Sequence, residues 1–182
     1  MKKVSETEGK IIQLATDLIQ KRGVNGFSFA DIATEIGIKK ASIHYYFPSK
    51  LDLVLRVIAL YSENFAYDLQ MIKDRETNLT DRLSQFAGLY RRNLETEKLC
   101  LCTMLSTESQ SLSDPINQAV AAFFQMNHDW LHEVFKETTL SSQEAQEFFA
   151  MVQGLQVLAR ASQDLASFDR VIQTKINQLQ KK

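Results

Sequence analysis

The stretch Ser28-Phe-Ala-Asp-Ile-Ala-Thr-Glu-Ile-Gly-Ile-Lys-Lys-Ala-Ser-Ile-His-Tyr-Tyr-Phe-Pro-Ser-Lys50 decides the fold. Ser28 is placed to cap a helix, with Asp31 three residues on in the acidic position of a capping box and close to the positive helix end. Ile32, Ala33 and Ile36 share one face. Gly37 follows where the helix must stop and the chain must turn left-handed, a conformation that glycine adopts cheaply. Ile38 tucks in behind the turn. A second helix is predicted from about Lys39 until Pro48, because the residue before a proline is driven out of the helical region. Ile43 and Phe47, four apart, give it an inner face. Lys39, Lys40, Ser42, His44 and Tyr45 then point outward with no acid among them. A two-turn helix with that outer face suits a major groove, where phosphates want lysine and base edges want hydrogen-bonding or apolar tips.

Outward from this stretch, 182 residues with 45% apolar content are enough for a real core in one or two domains. Only two prolines and six glycines interrupt a 3.6-residue apolar period, so the chain is predicted to be all-α, with about nine helices. The net charge of −1 divides unevenly: residues 1–56 carry nine Lys/Arg against six Asp/Glu, and residues 57–182 carry twelve against sixteen. A basic head on an acidic body fits local contact with phosphates. Gln13, Asp17 and Gln20 interrupt the hydrophobics near the amino terminus, so no signal peptide is read there. No stretch approaches the ~20 apolar residues of a membrane span, and a cytoplasmic protein with no membrane partner is expected. Cys100 and Cys102 have neither a zinc nor a thioredoxin spacing.

At Gly26, Ser28, Ile32, Ala33, Gly37, Ile38, Ser42, Ile43, Tyr46, Phe47 and Lys50 the chain resembles, in register and without a gap, the TetR family of one-component transcriptional repressors. The match covers about the first third of the sequence. Three residues depart from the family pattern: Lys39 replaces a small hydroxyl residue, Ala41 a common glycine, and His44 a usual tyrosine. They leave the implied fold unchanged and bear on which operator is read. The resemblance implies that Lys50 reaches a phosphate; in a DNA-bound dimer Lys40, Ser42, His44 and Tyr45 would meet bases or nearby phosphates and Ser28, Tyr46 and Lys50 would hold the backbone, with Lys39 and Ala41 also in the expected DNA-binding set.

Taken in order, Ser5 and Glu8 open a first helix with an apolar stripe from Ile11 to Ile19, closed by Gly23. It is expected to brace the helix-turn-helix, with Lys2 and Lys3 offering loose phosphate contact. Residues 1–48 form the predicted DNA-binding domain and 49–182 a helical ligand-binding and dimerisation domain. Ser49 and Asp52 open a long helix to about residue 73, with Leu51, Val54, Leu55 and Ile58 on its apolar side. Asn78 is a candidate cap for the next. A short helix is expected from about 100 to 110. Asp114-Pro115 marks another start, cap followed by proline. Ser141 with Glu144 opens the eighth helix, and a ninth runs from about 164 to 179. The apolar positions of these last two, within 141–180, suit either a four-helix bundle with a second copy, as the resemblance implies, or burial against their own domain.

Phe65, Phe86, Tyr90, Met104, Phe123, Met126, Trp130 and Met151 are the large or flexible side chains expected around an apolar or aromatic small molecule, and equally the contents of a plain core. Cys100 and Cys102 begin a predicted helix whose dipole would favour a thiolate, with Arg91, Arg92 and Lys98 near in sequence. They resemble the family's cysteine-based sensors of electrophiles or oxidants, and read equally as two small buried hydrophobes. His128 and His132 share a helix face at a metal-compatible spacing, but no third ligand can be named, so no metal and no cofactor is expected. No phosphate loop, nucleophile elbow or paired-carboxylate signature is present. The expected protein is not an enzyme. It is a homodimeric regulator, a repressor that binds a palindromic double-stranded operator and is released by a small molecule or by thiol modification. The alternative is a helical small-molecule-binding protein or enzyme that does not use its helix-turn-helix.

Overall fold

The computed structural model describes residues 5–181, and Lys2 and Lys3 lie outside the described residues. Nine α-helices are present among them: α1 (Glu6–Arg22), α2 (Phe29–Ile36), α3 (Lys40–Tyr46), α4 (Lys50–Arg75), α5 (Leu79–Leu94), α6 (Leu101–Thr107), α7 (Asp114–Lys136), α8 (Ser142–Ser162) and α9 (Leu165–Gln180). Short 3-10 turns occupy Val24–Gly26 and Ser109–Ser111, and there is no strand among the described residues.

Helix ends follow local chemistry. The Ser5 hydroxyl accepts from the Glu8 amide at 3.2 Å, and Asn78 Oδ1 accepts from Asp81 at 2.8 Å. The Ser28/Asp31 and Ser141/Glu144 capping boxes are both closed. Asp164 caps α9 through the Ser167 amide at 2.8 Å. Helix α7 begins one residue earlier than the Asp-Pro pair suggests. The Ser113 carbonyl accepts from the Ile116 and Asn117 amides, so Pro115 sits in the first turn, where its missing N–H leaves no bond unmade.

By spatial contact the chain forms two compact units. The first comprises the described residues up to Ser62 with Leu101–Ala121, a division that differs from the break at 48/49 read from the helix-turn-helix. Helix α1 lies against α2 and α6. Its core holds Ile11, Ala15 and Ile19 of α1, Ile32 of α2, Ile43 of α3 and Leu105 of α6, all fully buried. The inner side of α4 here is Leu53, Val54, Val57 and Ile58, whereas Leu51 is exposed. The buried arc is therefore wider than the single expected stripe and rotated away from Leu51.

The second unit comprises 63–100 and 122–182, with α5 packed on α8 and α9. Phe148, Val152, Phe168, Ile172, Ile176 and Leu179 are buried within this one chain. Burial against their own unit thus accounts for these six apolar positions of α8 and α9. Val157, Leu158 and Val171 remain exposed at 42%, 65% and 38%.

Candidate nucleic-acid interface and ligand site

The turn between α2 and α3 is fixed by backbone bonds. Gly37 takes φ 77° and ψ 34°, and its amide and that of Ile38 both donate to the Ala33 carbonyl, each at 3.0 Å. Only a residue tolerant of positive φ closes a helix this way, and the bonds satisfy a carbonyl otherwise orphaned at the helix end. Ile43 and Phe47, 0% and 4% exposed, hold α3 against the unit. Burial of a side chain the size of Ile43 stabilises by roughly 1.5–3 kcal/mol, enough to fix which face of a two-turn helix looks outward.

That outward face carries Lys40, Ala41, His44 and Tyr45, all exposed, with Lys39 just before it and Ser42 and Tyr46 half-buried. Tyr45 is 82% exposed and meets the Tyr46 ring edge-on at 5.1 Å. His44 is less free than its exposure suggests. Its ring packs edge-on against Phe29 at 5.0 Å, and Nδ1 lies 3.3 Å from the Pro48 carbonyl. Ser28, exposed at the start of α2, receives no help from outside its own box: Asp31 Oδ2 accepts from its amide at 2.6 Å and from its hydroxyl at 2.8 Å. These bonds, the hydroxyl's first, hold the Asp31 carboxyl below the usual carboxylate range.

Lys50 turns inward. Its Nζ donates to the Phe27 carbonyl and stands 4.2 Å from the centroid of the Phe27 ring, so a carbonyl and a π-face both meet the half-buried ammonium. Burial lowers its pKa, while the charges of Glu108 and Asp31 act in the opposite direction. Phe27 and Glu108 carry no motif, and no local sequence signal points to either.

In the second unit the expected lining residues are only partly brought together. Phe65 meets Tyr90 at 5.4 Å and Phe123 at 5.0 Å; Phe86 meets Tyr90 at 5.5 Å and stacks on Trp130 at 5.5 Å and 11°. Met126 and Met151 are half-buried in the same unit, whereas Met104 belongs to the first. The rings are packed on one another and form core. Polar anchors that the sequence did not advertise thread this core. The Tyr90 hydroxyl donates to Asn127 Oδ1 at 3.1 Å, Asn127 Nδ2 to the Phe123 carbonyl at 2.8 Å, and Trp130 Nε1 to the Leu69 carbonyl at 3.1 Å. An open groove of about 400 Å³ lies elsewhere, between α4 and α5, lined by Met71, Ile72, Gly88, Leu89 and Arg92 among others.

Cys100 and Cys102 are thiols rather than a disulfide, and both are 0% exposed. The Cys100 amide donates to the buried Gln156 Oε1 at 3.0 Å. Complete burial withholds the solvent access that a reactive cysteine needs. The His128 and His132 rings stack at 6.2 Å, and His132 Nδ1 lies 2.7 Å from the Ser142 hydroxyl. No group of three His, Cys, Asp or Glu able to hold a metal occurs among the described residues. No helix among them is long and apolar enough to cross a membrane.

Residues 11–57 match the sequence profile described as bacterial regulatory proteins, tetR family. The chain is 27% identical over 107 residues to the biofilm operon icaADBC HTH-type negative transcriptional regulator IcaR of Staphylococcus aureus (strain Newman), which covers 59% of this chain and 58% of that protein. It thus spans less than two thirds of that relative. It is 26% identical over 175 residues to the HTH-type transcriptional regulator CymR of Pseudomonas putida, covering 91% of this chain and 85% of that one. Among solved structures, a TetR transcriptional regulator from Legionella pneumophila superposes with a TM-score of 0.90 at 33% identity, over 97% of this chain and 98% of the other.

Proposed function

The chain belongs to the TetR family of transcriptional regulators, and from that premise we propose that it binds a palindromic DNA operator as a homodimer and leaves it when a small molecule binds the second unit. The observation that carries this is the outer face of α3: Lys40, Ala41, His44 and Tyr45 exposed, Ile43 fully buried behind them, and no acid along the helix. Lysines adjacent to hydrogen-bonding and apolar tips are what phosphates and base edges in a major groove require. Two copies would set their α3 helices about 34–36 Å apart, in successive major grooves of a palindrome. The exposed Val157, Leu158 and Val171 support α8 and α9 as the joining surface, since burying them against a second copy removes apolar area from water.

Repression as the default is supported by the negative regulation named for IcaR. The ligand is a small apolar or aromatic molecule. It acts by preferring the released conformation, and its differential affinity for the two conformations sets how far operator occupancy falls. The test is duplex binding by the protein carrying Lys40→Ala and Tyr45→Ala together. Affinity should fall and the salt slope should become shallower by about one for the lost phosphate contact. Unchanged binding would show that α3 is not the element that reads DNA.

A further inference from the structure

We propose that Glu108, on the segment after α6, is a positioning residue for the DNA-reading head: its carboxylate clamps the turn between α1 and α2 and sets the surroundings of Lys50. The proposal rests on the DNA-binding function proposed above. The contact joins residues 83 apart in sequence. Glu108 Oε2 accepts from the Asn25 side-chain amide at 2.9 Å and from the Asn25 backbone amide at 3.3 Å. Asn25 Nδ2 also donates to the Ser111 hydroxyl at 3.2 Å, so the 3-10 turn Ser109–Ser111 joins the same clamp. Gly23 makes room for it. A Cβ there would stand 2.8 Å from Glu108 Cδ and closer still to Oε1, and the backbone has φ +77°. Turn and carboxylate are fitted to one another, and a side chain at Gly23 would require the Glu108 carboxylate to move.

The clamped turn leads directly into Phe27, whose carbonyl and ring receive Lys50. Glu108 and Asp31 are the two acids whose charges favour the Lys50 ammonium against the penalty of its burial. An acid beside a phosphate-binding surface opposes DNA through its charge. Its place here is explained by what it holds: the Gly23–Asn25 backbone through hydrogen bonds, and the charge state of Lys50 through its field. Hydrogen bonding and charge are separable by substitution, because glutamine keeps the acceptor and loses the charge.

The test uses the full chain and the duplex that the wild-type protein selects from a random pool. Glu108→Ala should weaken that duplex about tenfold, and Glu108→Gln should recover most of the loss. Asn25→Asp, which sets two carboxylates face to face, should weaken binding comparably. Adding Glu108→Gln to it should restore affinity, because the glutamine amide then donates to the new carboxylate. This pair keeps the test open should Glu108→Ala fail to fold. Independently of DNA, the Lys50 ammonium, followed by NMR of ¹⁵N-labelled lysine and assigned with Lys50→Arg, should titrate at lower pH in Glu108→Gln than in wild type. Wild-type affinity in Glu108→Ala, no rescue in the double variant, or a Lys50 titration unmoved by Glu108→Gln would each overturn the proposal. If the wild-type protein selects no duplex, the DNA-binding function fails instead, and the lysine titration alone decides the clamp.

Discussion

Replacing Phe86 by alanine asks whether the aromatic cluster of the second unit is core or the wall of an open cavity. Phe86 is 0% exposed, and its ring meets Trp130 and Tyr90 at 5.5 Å, Phe149 at 6.1 Å and Phe148 at 6.3 Å. Phe→Ala in a packed core costs roughly 3–5 kcal/mol, the transfer of the lost ring plus the hole it leaves. Well-placed ring pairs add about 0.5–1.5 kcal/mol beyond area burial, which moves the expectation to the upper half, about 4–5 kcal/mol. For a chain of this length that is a fall in Tm of roughly 8–20 °C. Urea unfolding at a fixed protein concentration measures it, since association would otherwise shift the midpoint. Trp130, the only tryptophan, stacks on Phe86 and reports the same site by a red-shifted emission. A loss below about 1 kcal/mol with unchanged emission is what truncating an open cavity wall would give, and it would refute the packed core.

Gly154 lies inside α8, and a Cβ added there meets nothing within 4 Å; Gly154→Ala should therefore raise unfolding free energy by roughly 0.5–1 kcal/mol, read by the same urea assay. The Asp31 carboxyl is held below its ordinary range by the Ser28 hydroxyl and then the Ser28 amide. A depressed folded-state value means stability that is present above the unfolded aspartate value of about 3.9 and lost as pH falls through the folded value. Wild type should therefore exceed Asp31→Asn in thermal midpoint at neutral pH, with the gap closing in acid; a gap independent of pH would contradict this. With Cys100 and Cys102 both 0% exposed, a thiol reagent should label neither in the native protein within minutes and both after denaturation. Fast native labelling of one of them, with loss of DNA binding, would instead establish a thiol sensor.

The parts legible in the sequence are those whose causes lie within a few residues. Ser28 with Asp31, Ser141 with Glu144, Asn78, Gly37 and Pro48 mark helix ends because each acts on backbone groups one turn away. Spacing alone also showed Ile43 and Phe47 to be the inner face of α3. Contacts made across the fold were not legible. Gly23 reads correctly as a helix stop, yet its second reason, the Glu108 carboxylate standing where a side chain would be, comes from a segment more than eighty residues away. Nor does any pattern announce that Asn127 will receive the Tyr90 hydroxyl, or that Gln156 will receive the Cys100 amide. A polar residue on an apolar helix face becomes an anchor only when docking brings it a partner. The same holds for Lys50. Its place at the start of α4 follows from the capping pair Ser49 and Asp52, but its bond to the Phe27 carbonyl joins residues 23 apart that only the fold brings together.

Selection of bound duplexes from a random pool by the full chain, at two salt concentrations, tests the account most directly. A palindrome whose half-sites lie about 10 base pairs, or a multiple, apart is predicted, bound with an affinity that falls steeply as salt rises. No enriched sequence at either salt concentration would contradict DNA binding through α3 and favour a helical protein that carries its helix-turn-helix without using it.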